Sequence, residues 1–206
     1  MTAGSLVWFA LAYLVGAFPS SYVAAKAFRG IDLREHGSRN LGATNLYRVL
    51  GWKFAVPVAV VDILKGTLPV LLFAPRVSDS TLVALLMGVA AVVGHVFSVF
   101  VGFKGGKGVA TAAGAMLGIA PLAVAACAVV WAGLLWLTGY VSVGSMAGAL
   151  TLPVAIWVLQ PDRRELVLPS AALAAAIVWF HRQNVRRLLN GTENRFGRRA
   201  TARTAP

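Results

Sequence analysis

Between Lys107 and Asp162 the chain carries no charged residue, a run of 54 positions from 108 to 161. A soluble domain of ordinary composition is about one-quarter charged and seldom leaves such a gap. As one straight helix the run would extend about 80 Å, against a bilayer hydrocarbon core about 30 Å thick. It must therefore fold back on itself. Helix-breaking signals stand at Gly118–Pro121 and at Thr138-Gly139-Tyr140, so the run divides into three short crossings. The whole chain agrees: 58% hydrophobic, 13% charged, mean hydropathy +0.75. Its apolar runs are long rather than alternating, which implies membrane-spanning helices and not a β-barrel. The expected fold is an all-α integral membrane domain covering residues 1–206. Its single cysteine, Cys127, lies in an apolar run, which excludes an intramolecular disulfide.

The remaining crossings follow from hydropathy and charge. No charge precedes Lys26, and Lys26 and Arg29 come after the first apolar run. A cleaved signal peptide would place its basic residues before that run, so a retained helix over about 6–28 is expected, N-terminus outside. Further helices are expected over about 54–73 and 81–100, with a turn at 73–80, and over about 165–180. That makes seven crossings. The loops then placed outside hold Arg76, Arg163 and Arg164 against Asp79, Asp162 and Glu165, a balance of zero. All of the net +12 falls on the other side, as the positive-inside rule requires, and reflects topology rather than nucleic-acid binding. The active side and the C-terminus are therefore expected in the cytoplasm. Residues 190–206 read as a loosely ordered basic tail against anionic headgroups.

Three polar clusters interrupt this apolar frame. The central one is Gly94–Gly114, GHVFSVFVGFKGGKGVATAAG, which packs Lys104, Gly105, Gly106, Lys107 and Gly108 together. Glycines permit left-handed turns and close backbone approach, and successive N–H groups there form an anion nest. A helix starting at Val109 adds its positive dipole end, and Thr111 a hydroxyl. A plain basic cytoplasmic loop is the alternative. A nucleotide P-loop is not, because Gly106-Lys107 is followed by Gly108 and no βαβ unit surrounds it. The second cluster is His36–Asn45, HGSRNLGATN, dense in hydroxyls and amides just outside the membrane. The third is His181–Glu193, HRQNVRRLLNGTE. A helix continuing through it would put His181, Asn184 and Leu188 on one face, with Arg187 near Asn184. Within the second crossing Asp62 and Lys65 are i, i+3 neighbours, either a structural pair or part of a site. His95 near Lys104 is expected to shape the site.

These clusters, in this order, resemble the bacterial acyl-phosphate:glycerol-3-phosphate acyltransferases over nearly the whole chain. Asp62-Ile63-Leu64-Lys65-Gly66 and Tyr140–Ser145 fit the same pattern. Arg39 departs from it, where the family often has a small or neutral residue. The resemblance implies transfer of an acyl group from acyl phosphate to the sn-1 hydroxyl of glycerol 3-phosphate, without metal or cofactor, at the bacterial inner membrane. It implies membrane lipid as partner and no nucleic acid. Matched motif positions place Ser38, Arg48, Lys104, His181 and Asn184 at the reaction centre. Substrate and phosphate binding are implied for Asn40, Gly42, Thr44 and Asn45 in the second cluster. Gly105, Gly106, Lys107, Gly108 and Thr111 serve the same purpose in the first. Ser142, Ser145 and Arg187 complete the binding set, and Asp62, Lys65 and His95 shape it. The His-x-x-x-x-Asp pair of another acyltransferase class is absent, since Leu41, Phe100 and Arg186 follow the three histidines at that spacing. Two rival readings are a transporter of a phosphorylated metabolite and a lipid-binding scaffold. Against the first, the polar clusters are all predicted on one side.

Overall fold

The structure, a computed structural model, describes residues 3–196. Among these residues it has ten α-helices and no strand: α1 Ala3–Ala17, α2 Ser20–Arg29, α3 Ala43–Leu50, α4 Trp52–Leu68 and α5 Thr81–Val96, then α6 Val109–Leu117, α7 Pro121–Thr138, α8 Val141–Leu159, α9 Val167–Phe180 and α10 Arg182–Leu189. The breaks expected within the charge-free run are the ones found, between α6 and α7 and between α7 and α8.

Four stretches are long and apolar enough to cross a bilayer: Trp52–Arg76, Thr81–Val101, Pro121–Thr138 and Val141–Leu159. Two bent pairs raise the number to six. The first pair departs from the single straight helix expected over 6–28, because α1 and α2 meet at 41° across Phe18-Pro19. Proline has no N–H to continue the ladder and disfavours helical geometry in the residue before it. The carbonyls freed there find other donors: Ser98 Oγ bonds Ala17 O, and Lys65 Nζ bonds Phe18 O at 2.9 Å. The second pair bends by 54° at His181, so α9 does not continue straight into the third polar cluster. The crossing expected just after Lys107 is α6, whose nine residues rise only about 13 Å.

The chain divides into two compact units between Pro121 and Leu122. In the first, α1 lies on α5 and α4 on α6 with backbones nearly touching. A Cβ on Gly94 would stand 2.2 Å from Tyr13 O, and one on Gly114 1.9 Å from Ile63 O. Such contacts suit a membrane, where helices associate by close packing of small residues rather than by hydrophobic expulsion. A separate apolar core (Ala25, Leu33, Leu41, Leu46, Val58, Val101) ties α2, α3 and α4 to the loops at 30–42 and 99–101. In the second unit α8 packs on α9, while α7 leaves Val129, Trp136 and Leu137 more than two-thirds exposed, a surface fit for lipid.

Candidate functional site

In the first unit the segment before α3 is folded by its own polar groups. Asp32 caps a short turn: its carboxylate accepts from Arg34 N at 2.9 Å and pairs with Arg34 Nη2 at 2.6 Å. The hydrogen bond from the Arg34 side chain holds the Asp32 carboxyl down at about 2. Next, Gly37 and Arg39 both take left-handed conformations, φ +61° and +62°. Asn45, 1% exposed, closes the loop from inside. Its Oδ1 accepts from Ser38 N at 2.7 Å, and its Nδ2 donates to His36 O at 3.0 Å and Leu33 O at 3.3 Å. Asn45 is therefore spent on the main chain rather than presented along a substrate wall. What it holds in place is Ser38, which is half-buried. Asn40, Gly42 and Thr44, half-buried too, lead into the first turn of α3, and a Cβ on Gly42 would come 3.1 Å from Asn40 Nδ2. Arg48 stands in the last turn of α3.

The glycine-rich loop is built differently from a nest. Gly105 N donates to Val96 O at 2.9 Å and Gly106 N to His95 O at 3.1 Å, so both N–H groups are used by the end of α5. Neither glycine is left-handed. They are glycine because nothing larger fits: a Cβ on Gly105 would stand 1.9 Å from His95 O, and one on Gly106 2.1 Å from His95 Nε2 and 2.5 Å from Leu41 O. The left-handed positions are Gly102, Phe103 and Gly108, the last at φ +79° capping α6. Lys104 is exposed and Lys107 half-buried. The helix expected to start at Val109 does begin there, as α6. There Thr111 is fully buried, its hydroxyl without a hydrogen-bond partner among the described residues.

Behind this loop lies a buried polar cluster. Asp62 Oδ1 accepts from Ser20 Oγ at 2.6 Å and from Lys65 Nζ at 2.8 Å, which realises the i, i+3 pair. His95 Nδ1 lies 3.8 Å from the same oxygen and has no hydrogen-bond partner among the described residues. The cluster joins the α1–α2 break, α4 and α5. A cavity of about 10 Å³, room for roughly one water, is lined by Ser20, Lys65 and His95 together with Gly105 and Gly106.

In the second unit the third polar cluster closes around a residue the sequence reading passed over. Glu193, 2% exposed in its side chain, accepts from Asn184 Nδ2 at 2.7 Å, Ser142 Oγ at 2.9 Å and Arg187 Nε at 2.7 Å. Burial pushes its carboxyl up, but the three bonds outweigh that and hold it below the usual value of 4.5. Ser142 and Arg187 therefore orient a carboxylate that orients Asn184. Ser145 is buried one turn further along α8. The signal was available: Glu193 is the lone acid after Glu165, set among arginines. His181 Nδ1 lies 2.8 Å from Ile177 O, and a carbonyl only accepts, so Nδ1 carries the proton and Nε2 is the basic nitrogen of the neutral ring. The segment after α10 is not loose as far as it is described. Phe196 N donates to Gly139 O at 2.7 Å and Arg195 Nε to Tyr140 Oη at 3.1 Å. Residues 197–206 lie outside the described residues.

The family model described as glycerol-3-phosphate acyltransferase matches residues 6–191. A glycerol-3-phosphate acyltransferase from Chlorobaculum parvum is 42% identical, covering 92% of this chain and 96% of its own length. One from Trichlorobacter lovleyi is 44% identical, with 95% and 99% covered. Among solved structures, PlsY (YgiH), an integral membrane glycerol 3-phosphate acyltransferase, superposes in its glycerol 3-phosphate form with a TM-score of 0.86. It shares 38% identity over 95% of this chain and 96% of that one. Its lysophosphatidic acid form superposes with a TM-score of 0.84.

Proposed function

The chain belongs to the glycerol-3-phosphate acyltransferase family, and from that premise we propose that its acyl donor is acyl phosphate and its acceptor the sn-1 hydroxyl. It is a multi-pass membrane acyltransferase of phospholipid biosynthesis. The hydroxyl oxygen of glycerol 3-phosphate attacks the acyl carbonyl carbon, and the bond from that carbon to the phosphate oxygen breaks. The hydroxyl proton ends on the departing phosphate, so the products are 1-acylglycerol 3-phosphate and inorganic phosphate with no net consumption of base. Phosphate is a good leaving group from a mixed anhydride, which removes the need for a strong general acid.

The observation that carries this reading is the seat of the cations. Lys104 and Lys107 flank a turn whose backbone is fixed to the end of α5, and the start of α6 follows at once. A preorganised cation stabilises developing charge without reorganising. Lys104 and Arg48 hold phosphate and offset the charge growing on the carbonyl and leaving oxygens. Ser38, placed by Asn45, and Asn184, placed by Glu193, orient hydroxyl and carbonyl by hydrogen bonds. His181 presents Nε2 to the attacking hydroxyl. Lys107, Gly108 and Thr111 bind phosphate with Asn40 and Thr44, while Asn45, Gly105, Gly106 and the Asp62–Lys65–His95 cluster shape the loops. The proposed topology has seven crossings in the bacterial inner membrane, the N-terminus outside and the active side cytoplasmic.

A donor comparison tests the assignment. Purified protein in detergent should turn over with palmitoyl phosphate and glycerol 3-phosphate, while palmitoyl-CoA and palmitoyl acyl carrier protein give little product. Comparable turnover from either thioester, with acyl phosphate trapped chemically, would defeat the donor assignment.

A further inference from the structure

One side chain in the cationic loop is held in a conformation its chemistry disfavours. Phe103 has φ +61°, a left-handed geometry that is a genuine outlier for a bulky non-glycine residue. Residues in such regions persist only where their surroundings over-determine them. Here they do. Phe103 N donates to Ser98 O at 2.8 Å and Val101 N to the same oxygen at 3.2 Å, which closes residues 98–103 on themselves. Ser98 is buried and anchored through its hydroxyl to Ala17 O, and Val101 is buried in the core with Leu41 and Leu46. The loop is rigid and turned inward at Ser98 and Val101. At Phe100 and Phe103 it leaves rings 58% and 60% exposed. Phe103 also stands just past the end of the apolar stretch Thr81–Val101 and immediately before the exposed Lys104.

An aromatic ring and a cation on consecutive residues, at the end of a membrane-spanning stretch, match a ligand with an anionic head and a hydrocarbon chain. We propose that Phe103, supported by Phe100, is the acyl-chain contact of the donor site and sets preference for chain length. This rests on acyl phosphate being the donor. With the phosphate at Lys104, the chain runs past the Phe103 ring toward the apolar stretch. Adjacent Cα atoms stand about 3.8 Å apart, so with its phosphate at Lys104 a palmitoyl chain is long enough to lie along the Phe103 ring, while butyryl phosphate makes little of that contact.

The test compares kcat/KM for palmitoyl and butyryl phosphate in wild type, Phe103→Gly and Phe103→Leu, in one detergent. Glycine is at ease at φ +61°, so Phe103→Gly removes the ring without straining the loop, and its thermal unfolding should match or exceed wild type. Each buried methylene contributes roughly fourfold to binding, so losing a ring's contact should lower the palmitoyl-to-butyryl ratio about tenfold. Phe103→Leu, still apolar, should keep most of it. A ratio unchanged in Phe103→Gly, whether the absolute rates hold or fall together, would mean that the ring faces bulk lipid and would overturn the proposal. Absence of wild-type turnover with either acyl phosphate would instead defeat the donor assignment beneath it.

Discussion

Gly106→Ala adds one methyl group, and the structure says where it goes. The new Cβ would lie 2.1 Å from His95 Nε2 and 2.5 Å from Leu41 O, against an ordinary contact of at least 3.4 Å. Neither obstacle yields easily: Leu41 O is main chain, and the His95 ring is 7% exposed beside Asp62 and Lys65. The loop must move by about an ångström, which for overpacking typically costs about 1–3 kcal/mol. Moving it also strains the bonds from Gly105 N and Gly106 N to α5, each worth about 1 kcal/mol. We therefore expect about 3–4 kcal/mol, divided between lowered stability and displacement of Lys104 and Lys107. By comparison, a Cβ on Gly108 meets only side-chain methyls of Val92 and Val96, at 3.0 and 3.3 Å. Its cost is mainly the left-handed backbone, about 1–2 kcal/mol. Thermal unfolding in detergent, with KM for glycerol 3-phosphate and kcat at matched protein, reads both parts. Gly106→Ala should be the more damaging of the two, with raised KM and a lowered melting temperature. Wild-type kinetics and stability in Gly106→Ala would refute the packed-loop account.

Glu193→Gln should lower stability by about 3 kcal/mol, because charge-assisted bonds to Asn184 and Arg187 are each worth about 1.5–3 kcal/mol. The Glu193 carboxyl is depressed, so its stabilisation is complete above pH 4.5 and is lost as pH falls through its lowered value. Melting temperatures of wild type and Glu193→Gln should therefore converge only in acid. Arg39→Asn places a residue tolerant of φ +62° at that turn and should raise stability by up to about 1 kcal/mol, a few degrees in melting temperature, with activity retained. In a Cys127→Ala background, cysteine at the exposed Ser78 should react with an impermeant reagent on intact cells and cysteine at the exposed Asn194 should not. The reverse pattern would invert the proposed topology.

Features carried by a few neighbouring residues were legible in the sequence. The Asp62–Lys65 pair, the start of α6 at Val109 and the breaks at 118–121 and 138–140 all follow from local spacing and helix-breaking residues. The break at Pro19 carried a local signal as well, but it lies in a run so apolar that hydropathy argued for one straight helix. Glycine is the harder case. A left-handed glycine and a glycine flattened against another backbone look identical in a sequence, so Gly105 and Gly106 read as a nest until their N–H groups were found bonded to α5. Asn45 misleads in the same way, since an amide that faces substrate and an amide that closes a loop from inside are the same letter. Ser142 and Arg187 read as binding groups apart from Asn184 at the reaction centre because the carboxylate that gathers all three, Glu193, sits in a segment otherwise basic enough to pass for a headgroup-binding tail.

The central claim is that one acyl group moves from acyl phosphate to the sn-1 oxygen of glycerol 3-phosphate. Purified protein given palmitoyl phosphate and glycerol 3-phosphate labelled with ¹³C at the sn-1 carbon tests it most directly, with the product weighed by mass spectrometry and its ester located by NMR. The account predicts palmitoyl glycerol 3-phosphate with the ester on the labelled carbon and one inorganic phosphate released per ester formed. An ester at the central carbon, or palmitate and phosphate released without ester, would contradict it.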